Sequence, residues 1–218
     1  MATKTQKKTE NINEKIISFY MDYVLTEQKQ PASIYAFAKH LGITEAEFYK
    51  TYTSFKDIDI AIWKGVAENT INALMASEEF ETYNSREKLL GFFYTLVEAL
   101  NANRSYFIYS LKAQGAMHKN LGEFKEQIEN FAKPTIQQGL ADKELEERKF
   151  ISDRYYDAVW VNTLFILNFW TNDNSKGFEK TDAAIEKSVN LMLELMGKSA
   201  LDSLLDMGKF LLQNGLRK

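Results

Sequence analysis

The stretch Ser33–Ile58, SIYAFAKHLGITEAEFYKTYTSFKDI, decides the fold, because it joins two short helical patterns through a tight turn and a third pattern follows at once. Ser33 is a favourable N-cap residue, and apolar residues recur after it at steps of three and four, namely Ile34, Phe37, Ala38 and Leu41. Gly42 predicts the end of this first helix, since glycine readily takes the left-handed conformation of a helix C-terminus. The layout is that of a helix-turn-helix.

Thr44 and Glu47 predict the start of the second helix, because a threonine followed three residues later by glutamate forms a capping box. This helix is expected to run from Glu45 to about Tyr52, with Phe48 and Tyr52 packed on the first helix. The residues left towards solvent are Glu45, Tyr49 and Lys50. A third helix is expected from about Phe55 past Trp63.

This segment resembles the N-terminal signature of the TetR family of bacterial transcriptional regulators. The matching residues are Ser33, Phe37, Ala38, Gly42, Ile43, Thr44, Phe48, Tyr49, Tyr52 and Ile58. The motif resemblance covers residues 12–65, without insertion over the whole signature. It implies an all-α, TetR-like fold, with a three-helix helix-turn-helix domain over residues 1–65 and a larger helical domain for ligand binding and dimerisation over residues 66–218.

The resemblance also implies a function, that of a DNA-binding transcriptional regulator. A homodimer places two recognition helices in successive major grooves of a double-stranded DNA operator, and a small effector changes that spacing and releases the operator. The residues expected at the DNA are Ser33, Lys39, Thr44, Glu45, Tyr49, Lys50 and Lys56. The lysines Lys4, Lys7 and Lys8 are expected to form a flexible arm.

The recognition segment departs from the family pattern in its charge. Phe55 stands where the family usually has a lysine near DNA phosphate, and Glu45 and Glu47 lie at the start of the recognition helix. Residues 1–65 hold nine lysines against eight carboxylates, and the first arginine is Arg86. Arginine makes the commonest specific contact to guanine, and phosphate neutralisation supplies most non-specific affinity. However, Glu47 can serve the capping box alone, and carboxylates can accept hydrogen bonds from cytosine amino groups.

The alternative function is therefore a TetR-fold protein that does not bind DNA and instead holds a lipid-like ligand or a protein partner. In this respect the chain resembles the lipid-binding proteins of ubiquinone biosynthesis that share the fold. The missing arginine, Phe55 and Glu45 favour this alternative.

The rest of the chain reads as a series of helices. The expected ranges are Phe55–Ala76, Ser85–Asn101, Arg104–His118, Leu121–Gly139, Ser152–Thr171, Lys180–Met196 and Leu201–Leu212. Pro134 should kink or break its helix, because proline removes a hydrogen bond and crowds the preceding turn.

The run Ala158–Trp170 is apolar on nearly all sides, yet it is shorter than the about 20 residues that a membrane-spanning helix needs. A helix of this kind is expected to be buried against both its own domain and a second subunit. The resemblance implies a homodimer interface through residues 152–171 and 180–196, and no membrane partner is expected.

A candidate effector pocket draws on aromatic and soft side chains, which suit a small apolar or aromatic ligand. Its residues are expected to be Phe93, Tyr106, Phe107, Tyr109, Met117, Tyr156 and Trp160. Aromatics at helical spacing are also ordinary core residues, so both interpretations stay open. His118, near the end of its predicted helix, fits a surface position better than a ligand contact.

An enzyme is not expected, because the chain has no glycine-rich phosphate loop and no nucleophile elbow, and its two histidines, His40 and His118, fall in different predicted domains. With no cysteine, thiolate catalysis and thiolate-bound zinc are excluded. Neither a metal site nor a cofactor is expected. The polar N-terminus, MATKTQKKTENINEK, lacks the apolar segment of a secretory signal, so the expected location is cytoplasmic.

Overall fold

The computed structural model describes residues 2–114, 120–149, 151–197 and Lys209. The sequence predictions for Met117, His118 and the helix over 201–212 therefore lie outside the described residues, apart from Lys209, which is helical.

Every regular element of the described residues is helical, which confirms the all-α prediction. Within the part of the chain that the structure describes, short 3₁₀ turns lie at Phe80–Thr82, Ser152–Arg154 and Lys176–Phe178. The α-helices are α1 (Ala2–Glu27), α2 (Ile34–Leu41), α3 (Glu45–Phe48), α4 (Phe55–Met75), α5 (Ser85–Asn101), α6 (Arg104–Gln114), α7 (Gly122–Ala141), α8 (Tyr155–Asn172) and α9 (Glu179–Met196).

Two expectations about these helices need correction. The N-terminal lysines, Lys4, Lys7 and Lys8, belong to α1 and not to a flexible arm. Of the two expected effects of Pro134, the break is wrong, since α7 continues through it to Ala141, and the kink stays a prediction. One missing N–H costs a single backbone hydrogen bond, and the buried side chains of Phe131 and Ile136 hold the helix on both sides of the proline. Among the described residues, no helix has both the length and the hydropathy that crossing a membrane requires.

The chain divides into two compact units. The first consists of Met1–Val66 and Leu100–Phe124, and the second of Ala67–Ala99 and Lys125–Lys218. The first unit thus contains the helix-turn-helix together with α6. The functional division into domains over residues 1–65 and 66–218 stays a prediction.

An aromatic cluster fills the core of the first unit. Tyr20 of α1 stacks on Phe55 of α4 with ring centroids 5.8 Å apart, and Phe37 of α2 meets Phe55 edge-on at 5.3 Å. Phe48 of α3 packs edge-on against Phe37 at 5.9 Å. Such pairs add about 0.5–1.5 kcal/mol each beyond the burial of their area. Phe55, which departs from the family pattern, is half-buried, and its ring packs against the core that holds α3 on α2.

A buried arginine, Arg148, links the end of α9 to the start of α8 in the second unit. The Arg148 guanidinium donates to the carbonyls of Met196 at 3.0 Å and Gly197 at 2.6 Å, and to the Tyr155 hydroxyl at 2.6 Å. The last carbonyls of a helix have no partner within it and carry a partial negative charge, so a cation stabilises them. Arg148 thereby fixes the C-terminus of α9 beside the start of α8.

The connection between α8 and α9 is held by Asp173. This carboxylate accepts hydrogen bonds from the Thr181 amide at 2.9 Å and the Thr181 hydroxyl at 2.7 Å. It also accepts from the Ser175 amide at 2.8 Å. The two helices are therefore fixed to each other at both ends, by Asp173 at one and Arg148 at the other.

Candidate functional site

The helix-turn-helix begins with a cap and ends its first helix at a glycine, as the sequence predicts. The Ser33 hydroxyl accepts a hydrogen bond from the Ala36 amide at 3.1 Å, which caps α2. Gly42 has φ +75°, in the left-handed region, and the Ile43 amide donates to the Ala38 carbonyl at 3.0 Å. The last carbonyls of α2 are thus satisfied within the turn that leads to α3.

The capping box of α3 is formed. The Thr44 amide donates to Glu47 Oε2 at 2.9 Å, and the Glu47 amide donates to Thr44 Oγ1 at 3.1 Å. The carboxylate of Glu47 is therefore directed at the Thr44 backbone, which is the capping alternative. The helix ends at Phe48, earlier than the expected Tyr52, because residues 49–51 form a turn in which the Thr51 amide reaches the Phe48 carbonyl at 3.0 Å.

A second carboxylate near the recognition segment is also engaged at a helix start. Asp57 accepts a hydrogen bond from the Thr53 amide at 3.0 Å and another from the Thr53 hydroxyl, and its own amide donates to the Ser54 hydroxyl at 3.2 Å. The hydrogen bond from the Thr53 hydroxyl holds the pKa of Asp57 below its usual range. This leaves Glu45 as the exposed carboxylate of α3.

The side chains expected at the DNA all lie at the surface of the first unit. Tyr49 is 52% exposed, although its neighbour Phe48 is fully buried. Lys39 lies in the last turn of α2, Lys56 lies in the first turn of α4, and the others flank or belong to α3, namely Ser33, Thr44, Glu45, Tyr49 and Lys50. This surface therefore carries the charges of Lys39, Lys50 and Lys56 and the exposed ring of Tyr49, together with Glu45. Their role in DNA binding stays a prediction.

The helices α8 and α9 share an exposed apolar face. Large apolar side chains on it are exposed by 41–64%, namely Val161, Phe165, Leu191 and Leu195. They line a groove of about 480 Å³, which also includes Asn162. The Asn162 Nδ2 atom is buried, and it has no hydrogen-bond partner among the described residues. Exposed apolar patches of this kind mark interaction surfaces.

The residues expected to line an effector pocket have varied surroundings. Tyr106 and Phe107 are buried in the first unit, where Tyr106 donates to Asp59 and Phe107 packs on Trp63 at 4.8 Å. Tyr109 is half-buried there, and Phe93 is fully buried in the second unit. Tyr156 and Trp160 lie under the ammonium groups of Lys133 and Lys125 respectively, at 4.8 and 5.9 Å. Their role as a pocket stays a prediction.

Sequence reasoning missed a cavity beside Lys88, at the start of α5. It has a volume of about 350 Å³, and Lys88 itself is only 8% exposed. One signal was present in the sequence. Lys88 precedes the core residue Phe92 by four positions, which places a lysine on the buried face of α5.

Comparison with known proteins gives a match in the second half of the chain. A family model described as tetracyclin repressor-like, C-terminal domain, matches residues 88–211, which is more than half of the 218 residues. The match covers the part in which the sequence offered only helical periodicity, and it is separate from the motif over residues 12–65. No curated protein matches the chain. On the strength of the family match and the all-helical architecture, the chain belongs to the TetR family of regulators.

Proposed function

We propose that the protein is a homodimeric, DNA-binding transcriptional regulator that acts in the cytoplasm and is controlled by a small apolar or aromatic effector. The observation that carries this proposal is the capped helix-turn-helix, whose expected DNA-contacting side chains are all exposed. In the turn between α2 and α3, Gly42 has left-handed backbone, and Thr44 and Glu47 form the capping box of α3.

In this function the recognition segment enters the major groove. Tyr49, Lys50 and Glu45 are the side chains that project from α3 and the turn after it. Lys39 and Lys56, on the flanking helices, are placed to neutralise phosphate, while Glu45 can accept from a cytosine amino group. Glu47 and Asp57 each accept a backbone hydrogen bond at a helix start, so their placement is explained by capping.

A homodimer is supported by the apolar face of α8 and α9, where Val161, Phe165 and Leu191 are exposed. Two such faces packed together form a four-helix interface and bury these side chains. The two recognition segments of the dimer then lie on one side of the operator, about 34–36 Å apart. An effector that favours a different spacing releases the DNA by coupling the two binding events.

Fluorescence anisotropy with the DNA that flanks the protein's own gene tests this function. Wild-type protein is expected to bind this duplex more tightly than a scrambled one, and to lose affinity steeply between about 50 and 200 mM salt. The double variant Tyr49→Ala with Lys50→Ala should bind at least about tenfold more weakly, because a base contact and a phosphate contact are lost.

The control is Lys176→Ala, which removes the same charge from an exposed position in the second unit and should leave affinity unchanged. Unchanged operator affinity in the double variant would contradict the assignment of the recognition segment.

The second candidate function, a TetR-fold protein that holds a lipid-like ligand or a protein partner without binding DNA, is favoured by the exposed Glu45 and by the near-neutral balance of residues 1–65. Phe55 no longer favours this second candidate, since its ring packs against the aromatic core and its presence is explained by that packing. The same experiment decides between the two functions. A folded dimer that binds neither duplex at either salt concentration would support this second candidate.

A further inference from the structure

A cavity of about 350 Å³, open to solvent on one side, lies in the second unit between the end of α4, the 3₁₀ turn at Phe80–Thr82, the start of α5 and the middle of α7. Most of its exposed wall area is apolar and comes from Ile71, Met75, Phe80, Phe131 and Pro134, while the polar lining residues are Lys88, Gln127, Asn130, Thr135 and Gln138. The volume is at the lower end of the about 300–1,000 Å³ range of ligand pockets. The cavity therefore has the size and the lining of a site for a small, largely apolar molecule.

Lys88 places a positive charge in this apolar wall. Its side chain is 8% exposed, and its ammonium lies over the Phe80 ring at 4.8 Å from the centroid. Among the described residues, no carboxylate oxygen lies within 4.0 Å of its Nζ atom. A buried ammonium is costly unless an anion or several hydrogen bonds compensate it.

The position of the ammonium is fixed by Gln138 of α7. Lys88 Nζ donates to Gln138 Oε1 at 2.6 Å, and Gln138 Nε2 in turn donates to the Tyr83 carbonyl at 3.1 Å. The amide is thus held with its oxygen towards the lysine. An ammonium has three N–H donors, and this amide oxygen accepts one of them.

Two carboxylates at the start of α5 are engaged with the backbone of that helix start. Glu87 accepts from the Asn84 amide at 2.9 Å, and Glu144 accepts from the Ser85 amide at 3.2 Å and from the Ser85 hydroxyl. Both therefore cap the start of α5. The positive end of the α5 dipole adds to the lysine charge, since Lys88 is the fourth residue of the helix.

We propose that this cavity binds a small amphipathic monoanion, whose carboxylate pairs with Lys88 and whose apolar body packs against Phe80, Phe131 and Met75. The anion supplies the counter-charge that none of the described carboxylates places within 4.0 Å of Lys88 Nζ. That this molecule is also the effector which releases DNA rests on the proposed function.

Isothermal titration calorimetry with octanoate and 1-octanol, in the absence of DNA, tests the site. The two probes share an apolar chain and differ in the charge of the head group. Wild-type protein is expected to bind octanoate at least tenfold more tightly than octanol. Lys88→Met should remove this preference and leave the octanol affinity within about twofold, because its side chain keeps the volume and lacks the charge. Lys180→Met, at an exposed position on α9, should bind both probes as wild type does.

Thermal unfolding without ligand separates this site from a structural role of the lysine. Relief of an uncompensated buried charge predicts a midpoint for Lys88→Met equal to or above that of wild type, whereas a structural lysine predicts a lower one. If Lys88→Met does not fold, Lys88→Gln replaces it, since glutamine lacks the charge but keeps a donor for Gln138.

The proposal is overturned if wild type shows no preference for octanoate, or if Lys88→Met keeps the preference. Anisotropy with and without octanoate tests separately whether the bound anion releases DNA. Octanoate that binds but leaves the DNA affinity unchanged contradicts only the role of the anion as effector. A protein that binds no DNA at all contradicts the proposed function and leaves the calorimetric result intact.

Discussion

The carboxyl group of Asp59 is buried in the first unit between two tyrosines from different helices. The Tyr20 hydroxyl of α1 donates to Asp59 Oδ2 at 3.3 Å, and the Tyr106 hydroxyl of α6 donates to Oδ1. Asp59 is 7% exposed, and burial raises its pKa, although the hydrogen bonds from Tyr106 and Tyr20 act in the opposite direction. Asp59 therefore joins α1, α4 and α6 through a carboxyl group whose pKa is raised by burial.

This raised pKa predicts a pH-dependent stability. The folded state holds the Asp59 proton more tightly than the unfolded chain does, so its contribution is fully present below the ordinary aspartate pKa of about 3.9 and is lost as the pH rises through the folded-state pKa. Asp59→Asn should abolish this loss. We expect the unfolding free energy of wild type minus that of the variant to fall with rising pH in urea titrations between about pH 4 and 8, by about 1.4 kcal/mol per unit of pKa shift. A difference that is constant across this range would contradict the assignment.

At the scale of elements, the turn between α2 and α3 depends on the backbone of one glycine. Gly42 has φ +75°, and an added Cβ atom would meet no other atom within 4 Å. A side chain at this position is therefore opposed by backbone strain and not by a clash. Gly65, in the middle of α4, has equally open surroundings but ordinary helical backbone.

Alanine substitutions at these two glycines are expected to change the unfolding free energy in opposite directions. Gly42→Ala should lower the unfolding free energy by about 1–2 kcal/mol, since L-residues are strained in the left-handed region. Gly65→Ala should raise it by about 0.5–1 kcal/mol, because alanine loses less backbone freedom on folding in a helix. Thermal or urea denaturation measures both. Equal effects of the two substitutions would show that left-handed geometry does not limit the turn.

The sequence predicts the elements of this fold better than it predicts the pairings between them. The caps at Ser33 and Thr44 follow from residues within four positions, so the sequence pattern contains them. Tyr106 lies 47 positions from Asp59, and Gln138 lies 50 positions from Lys88. Such pairs depend on how helices pack, which periodicity does not specify.

Phe55 illustrates the same limit. Comparison with the family pattern indicates only that Phe55 replaces a lysine near DNA phosphate. In the structure, its ring stacks on the buried ring of Tyr20. The signal available was its spacing from Ile58 and Ile62, which lie three and seven positions later and are both buried.

At the scale of the whole molecule, the exposed face of α8 and α9 is the surface on which the proposed homodimer depends. Phe165 and Leu191 are 46% and 58% exposed, and Arg148 and Asp173 fix the two helices that carry them. A surface of this kind is stabilised by burial at about 25 cal/mol per Å² of apolar area.

A charge placed on this face should therefore separate the subunits. We expect wild type to sediment as a dimer and the double variant Phe165→Glu with Leu191→Glu to sediment as a monomer in analytical ultracentrifugation. Lys187→Glu is the matched control, because it adds a glutamate to an exposed position of α9 outside the groove and should remain dimeric. A dimeric double variant would place the interface elsewhere.

The aromatic core of the first unit has an evolutionary consequence. Rings from Tyr20, Phe37, Phe48 and Phe55 pack together beneath the helix-turn-helix, while the side chains at the candidate DNA surface are exposed. Substitution of Tyr49 removes its edge-on contact with Phe48 at 5.7 Å and leaves the contacts among the four core rings in place. Under the proposed function, mutation at the exposed positions exchanges one recognised sequence for another at little cost in stability, so duplicated copies of such a gene can diverge in target while they keep the same scaffold.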